Sequence, residues 1–199
     1  EHVKSYRDEL MELLDENRRE TDRQNALIAS NAYVLAADPS KTYVPPAVED
    51  EVPFLNFAPI QNVIARLEES AKSYDNDYVS MIVAHGSMSE AGATMMSEHG
   101  EALRQLNELL IATERAMTRD DGLPRRPWFR HQIYAPGFYT GYGVKTLPGI
   151  REAIEEGEWD EASRQVERLA ETIDGLADKI DEATAMLRGV LIAFVQPRS

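Results

Sequence analysis

The sequence predicts an all-α protein, most simply an antiparallel bundle of four main helices, with a long ordered aromatic loop before the C-terminal helices. Three observations lead there. A heptad pattern is sustained from Trp159 to Val190. Two earlier segments carry apolar stripes stepping by three and four residues. No segment alternates apolar and polar residues in the manner of a half-buried strand.

The first helix is expected to begin near His2, where Val3, Tyr6, Leu10 and Leu13 share one face. A polar run, 15–25, follows, and 26–37 either continues that helix or starts another. Residues 38–55 hold four prolines, which exclude a continuous helix and make this a Pro-rich connection. Asn56 is placed to cap the next helix, with Pro59 in its first turn. Ile60, Val63, Leu67, Ala71, Tyr74, Tyr78 and Met81 then form its stripe, and the helix is expected to fray before His85. The small, methionine-bearing stretch 85–100 reads as a loop. Leu103, Leu106, Leu110, Thr113 and Met117 mark the following helix, which should stop at DDGLP, 120–124. Pro148 can occupy the first turn of a short helix. After Gly157, Trp159, Val166, Ile173, Ile180 and Leu187 fill one heptad position, and Ala162, Leu169, Leu176, Ala183 and Val190 the other. Five heptads of this kind argue for one long packed helix. The 199 residues are read as a single helical domain with its bundle core in 56–199. LIAFV, 191–195, is a candidate for contact outside the bundle.

Composition narrows the function. The net charge is −14, which disfavours general nucleic-acid binding. The charge is uneven: Arg119 to Arg151 holds six Lys/Arg against two Asp/Glu, a net of +4, and the remainder carries −18. With no cysteine, disulfides and thiolate metal sites are excluded. The longest apolar run, Val190–Val195, is far short of the roughly 20 residues that cross a bilayer. The chain opens directly in a helical pattern without a signal peptide, as expected of a piece of a longer protein.

Motifs for hydrolases, nucleotide binding and helix-borne zinc are missing from the sequence. The four histidines lack the spacing that sets two ligands on one helix face, and His85 and His99 read as exposed loop residues. The acidic pairs Glu155-Glu156, Asp160-Glu161 and Asp181-Glu182 flank apolar heptad positions, where a solvated helix face would place them. The informative stretch is 122–150, GLPRRPWFRHQIYAPGFYTGYGVKTLPGI, which holds six of the fifteen aromatics in the chain. Tyrosines offer an apolar face and a hydroxyl, and Arg125, Arg126 and Arg130 could supply counter-charge to an anion. Alternatively Trp128, Phe129 and Tyr134 plug the end of the bundle while the arginines neutralise acidic helices. The plug is the expected role of Trp128 and Phe129. For Phe138, Tyr139 and Tyr142, set between glycines, ligand contact and structural packing both stay open.

The pattern GLPxRPWFRHxIYAPG, then YxG, then LPGI, followed by a short helix and a long heptad helix, resembles the transferrin receptor-like dimerisation domain. That domain is the C-terminal helical bundle of glutamate carboxypeptidase II-like zinc peptidases and of transferrin receptor. The resemblance is specific over 122–180 and weaker over 54–118, where LNFAPI and ATERAM fit; 21–53 and 85–100 have no counterpart. Pro127, Trp128, Arg130, His131, Tyr134, Pro136, Pro148 and Gly149 carry the motif. The resemblance implies a twofold homodimer, with residues 1–37 leaving a peptidase domain that precedes this chain. It implies a loop that helps form the pocket for the C-terminal residue of a peptide substrate, so Tyr142, Gly141 and Tyr139 become substrate-binding candidates. Tyr142 aligns with the family's carboxylate-binding tyrosine, and Gly141 stands where the family has a lysine. That departure puts a preference for C-terminal glutamate in doubt. The zinc ligands would lie in the peptidase domain, so this chain supplies no catalytic residue or cofactor site, and an extracytoplasmic location is implied. Two other readings remain: a stand-alone bundle that binds a small anion, and a receptor-like scaffold that has lost peptidase activity.

Overall fold

The computed structural model of the chain describes residues 2–38, 40–86 and 91–195, the side chains of 84–86, 91–99 and 193–195 excepted. Among the described residues there are six helices: α1 (His2–Ala29), α2 (Ala32–Ala36), α3 (Ala58–Gly86), α4 (Ala91–Ala116), α5 (Pro148–Glu155) and α6 (Trp159–Val195). Between α4 and α5 lie two short strands, β1 (Tyr134–Pro136) and β2 (Val144–Thr146). The chain is all-α, as the heptad and the apolar stripes require.

Helix α1 runs unbroken through the polar stretch 15–25 and stops where Asn31 adopts a left-handed φ of 54°. The Pro-rich connection is strapped back onto it: Asn25 exchanges two 2.9 Å hydrogen bonds with the backbone of Glu49. Asn56 caps α3, its Oδ1 accepting the Ala58 N–H at 3.0 Å.

Three expectations are corrected. The stretch 85–100 is not a loop: α3 reaches Gly86 and α4 starts at Ala91, with 87–90 outside the described residues. Ala91, Ala93, Met95, Met96 and Glu98 are good helix formers and outweigh Gly92 and Gly100 once the face below them is anchored. The side chains of His85 and His99 lie outside the described residues. The helix α4 ends at Ala116, before 120–124, because 117–132 closes into its own knot of turns. There the Arg119 N–H bonds the Arg130 carbonyl at 3.0 Å and the Gln132 N–H bonds that of Met117 at 2.9 Å. Finally, β1 and β2 form an antiparallel ribbon, Tyr134 opposite Thr146 and Pro136 opposite Val144. Strands of three residues are too short for an alternating pattern to register.

The spine is α6. Along its heptad Ala162, Val166, Leu169, Ile173, Ala183, Leu187 and Val190 are buried, while Trp159, Leu176 and Ile180 are half-buried. Its neighbour α3 runs parallel to it. Arg66 bridges Asp174, Asp178 and Asp181, and Arg188 bonds Ser73 and Asp77, partners that keep a separation of 108 to 115 residues throughout. By contrast α4 is antiparallel, with Leu106 beside Ala183 and Leu187 and Arg119 bonding Glu171 at 2.9 Å. Antiparallel α1 covers the lower seam: Val3 lies beside Leu67 and Leu176, and Asn17 further along donates to the Ile154 carbonyl at 3.4 Å. The larger core gathers Leu10 and Leu14 of α1, Ile60 and Ile64 of α3, Ile150 and Ile154 of α5, and Val166 and Ile173 of α6. Ile133 and Leu147, the residues that flank the β ribbon, are part of it. The ribbon is thereby anchored to the best-packed end of the molecule. Of the apolar C-terminal stretch, Ile192 is exposed, and residues 193–195 fall outside the described side chains.

Candidate functional site

The ribbon β1–β2 closes around a tip, 137–143, of sequence GFYTGYG. Its turn is held by the Gly137 N–H to the Gly143 carbonyl at 2.8 Å and the Gly141 N–H to the Gly137 carbonyl at 3.1 Å. Gly141 has a φ of 65°, the left-handed region where glycine carries no steric cost. Tyr142 is fully exposed and Tyr139 is 75% exposed, its ring edge-on to Phe138 with centroids 4.8 Å apart. The candidate residues Tyr139, Gly141 and Tyr142 therefore share one small projecting turn. Side chains so exposed wall a pocket only when a second surface closes over them.

The tip stands on a buried ion pair that the sequence reading missed. Arg126, 2% exposed, and Glu152 on α5, 4% exposed, meet with Nη2 donating to both carboxylate oxygens at 2.7 and 2.6 Å. Nη1 donates to the Pro136 carbonyl at the end of β1, and Glu152 also accepts the Phe138 N–H at 2.8 Å. One charged pair thus clamps both residues flanking Gly137. The Arg126 guanidinium also lies 5.5 Å from the Phe129 ring and 5.7 Å from that of Phe138. The available signal was local: α5 is so short and so apolar that Glu152 has no solvent face, with Ile150, Ala153 and Ile154 buried around it.

The remaining motif residues frame this clamp. Pro127 lies over Gly122, where an added Cβ would stand 2.2 Å from the Pro127 carbonyl oxygen. Arg130 pairs with Asp120 at 3.1 Å. His131 stacks on Tyr134 at 4.0 Å, and its Nδ1 accepts the N–H groups of Ile133 at 3.2 Å and Tyr134 at 3.4 Å. Its other nitrogen faces Glu114 at 3.4 Å, and the Tyr134 hydroxyl donates to the same carboxylate at 3.1 Å. Burial pushes the His131 pKa down, against the pull of Glu114. The bond to Glu114 raises that of Tyr134. Pro148 and Gly149 are buried at the start of α5, Gly149 so close to Gln165 that a Cβ would meet its Oε1 at 2.7 Å. The expected plug fails for Trp128, 70% exposed, while Phe129 is half-buried beside the Arg126 guanidinium; Tyr134, the third ring of that alternative, is 48% exposed. The turns of 117–132 face Trp128 outward, and Leu123 and Ile133 are buried there instead.

Electrostatics separate the readings of this region. All six cations of the segment 119–151 are committed: Arg119 to Glu171, Arg125 to Glu156 and Glu161, Arg126 to Glu152, Arg130 to Asp120, Lys145 to Glu155 and Arg151 to Glu9. The arginines neutralise acidic neighbours, and the net positive charge of this stretch serves the fold. Among the described residues no group of three His, Asp or Glu side chains is arranged to hold a metal ion, and no helix is long and apolar enough to cross a membrane.

The profile of the transferrin receptor-like dimerisation domain matches residues 55–181, from the start of α3 into α6. A protein of Arabidopsis thaliana named probable glutamate carboxypeptidase LAMP1 is 38% identical over 90 residues, 45% of this chain and 13% of that protein. A probable glutamate carboxypeptidase of Arthroderma benhamiae is 37% identical over 76 residues, 38% of this chain and 10% of its own. A protein of Schizosaccharomyces pombe named as an inactive zinc metalloprotease is 29% identical over 85 residues, 43% of this chain and 10% of that protein. The matched part of the chain spans only about a tenth of the length of these relatives.

Proposed function

The chain belongs to the transferrin receptor-like dimerisation domain family, and from that premise we propose that it pairs two copies of a longer, zinc-dependent exopeptidase of glutamate carboxypeptidase type. Its hairpin tip then forms part of the pocket for the substrate's C-terminal residue. The observation that carries this reading is the clamp: a buried Arg126–Glu152 pair is spent on fixing a turn whose tyrosines make no use of it within the chain. A rigid, projecting, solvated aromatic turn is pre-organised to meet a second surface. On this reading the Tyr142 hydroxyl donates to the terminal carboxylate, and Tyr139 packs beside it. The zinc, which would activate a water for hydrolysis, on this reading lies in the peptidase domain. The whole chain acts as one helical unit, with α1 leading from that domain. The fission yeast relative is named inactive; pairing and catalysis are separable roles, and only pairing would rest on this chain.

Two measurements test the proposal. In the full-length protein, Tyr142→Phe should raise KM about tenfold for peptides with a free C-terminal carboxylate, the size of a lost hydrogen bond to a charged group. Unchanged kinetics would remove Tyr142 from the pocket. Light scattering of this chain after size exclusion, across a tenfold dilution, should give twice the 22.4 kDa chain mass. A persistent monomer would show that pairing needs surfaces outside it.

A further inference from the structure

The tip 137–143 contains no charged residue, and the three cations nearest to it are all engaged. Arg126 is buried on Glu152, and Arg125 lies between Glu156 at 3.3 Å and Glu161 at 3.2 Å. Lys145 is the informative one. Its aliphatic stem passes over Gly137, where a Cβ would meet Cε at 3.2 Å, and its ammonium is bound to Glu155 of α5. The lysine that could have faced a ligand from the ribbon is thus turned down toward the helix beneath. What the turn presents outward is chiefly the Tyr139 and Tyr142 rings, with Phe138 and the uncharged Thr140 also exposed.

We infer that this hairpin favours an uncharged, apolar residue at the substrate's C-terminus and selects against an acidic one. The inference rests on the reading of the hairpin as a pocket wall. A tyrosine hydroxyl satisfies the single terminal carboxylate, and an apolar side chain is accepted by the aromatic faces. A second carboxylate finds no free cation on this wall. It would be desolvated without a partner, inside the field of a chain of net charge −14. Two relatives are named glutamate carboxypeptidases; here the charge needed for such a side chain is already neutralised by Glu155.

The test uses the full-length protein and two uncleavable dipeptide analogues with free C-termini, one ending in leucine and one in glutamate, with dissociation constants read by calorimetry. The leucine analogue should bind at least about tenfold more tightly. Glu155→Gln frees Lys145 and should narrow the ratio about threefold or more at low ionic strength, with the gain fading as salt is added. Lys145→Gln leaves Glu155 unpaired and should widen it. Equal or tighter binding of the glutamate analogue by the unaltered protein overturns the inference, as does a ratio that neither charge variant moves. If Tyr142→Ala weakens both analogues in those cases, the pocket reading survives and only the selectivity falls. If Tyr139→Ala and Tyr142→Ala change neither constant, or neither analogue binds, the hairpin is not a pocket wall and both fall together.

Discussion

Replacing Glu152 by glutamine keeps the shape of the side chain and removes its charge. The consequence follows from the surroundings. The two side chains are 3% and 6% exposed, so the Arg126 guanidinium has no water to replace its lost partner. Truncating one side of a buried pair costs about 3–5 kcal/mol, because the remaining charge is uncompensated. For a domain of this size that corresponds to a fall in Tm of roughly 6–20 °C. The amide of Phe138 also changes from a charged to a neutral acceptor, so its hydrogen exchange should accelerate beyond the change in global stability. Urea unfolding followed by circular dichroism measures the first effect, and site-resolved exchange the second. Pairing Glu152→Gln with Arg126→Met makes the cycle decisive: the double variant should cost about as much as either single one, not their sum. A loss below about 1 kcal/mol for Glu152→Gln, or strict additivity in the cycle, would refute the clamp.

Two further outcomes are expected. Gly122→Ala should cost about 2–4 kcal/mol, from a left-handed backbone and a Cβ forced against the Pro127 carbonyl. Gly141→Ala, with the same sign of φ but open space around its Cβ, should cost only about 1–2 kcal/mol, so comparing their urea midpoints isolates the clash. His131 sets a pH dependence. Its folded pKa lies below the usual 6.5, chiefly through burial, and its neutral Nδ1 accepts two backbone N–H groups. The unfolded chain therefore binds the proton more readily, and this contribution is complete above pH 6.5 and lost as the pH falls through the lower folded value. His131→Asn keeps an acceptor near Nδ1 and cannot charge. Its unfolding free energy should lose that part of the slope below neutrality, and identical slopes for the two proteins would exclude His131 as the titrating group.

Much of this protein was legible residue by residue. The heptad that named α6, the Asn56 cap, Pro148 at the start of α5 and the proline-rich connection after α2 all express energies between groups within about four residues of each other. Such energies are written in order along the chain, so periodicity and capping residues suffice to read them. The run from Gly122 to Ile150 likewise contained its own family resemblance, which the profile match to 55–181 bears out.

Other features depended on what came to lie opposite. The stretch 85–100 looked like a loop, yet α4 already begins at Ala91, because tertiary packing of its apolar face overrides two weak glycine positions. Trp128 and Phe129 looked like a plug, yet the turn network of 117–132 faces Trp128 to solvent and leaves Phe129 half-buried. The parallel course of α3 beside α6, marked by Arg66 and Arg188, follows from connections that no heptad encodes. Above all, the sequence showed Arg126 and Glu152 as two ordinary charges 26 residues apart. Whether a charge is solvated or buried, free or neutralised, depends on the dielectric and the partners that surround it in space. The sequence by itself determined the helices and the aromatic turn; the fold alone decided that every cation beneath that turn was already taken.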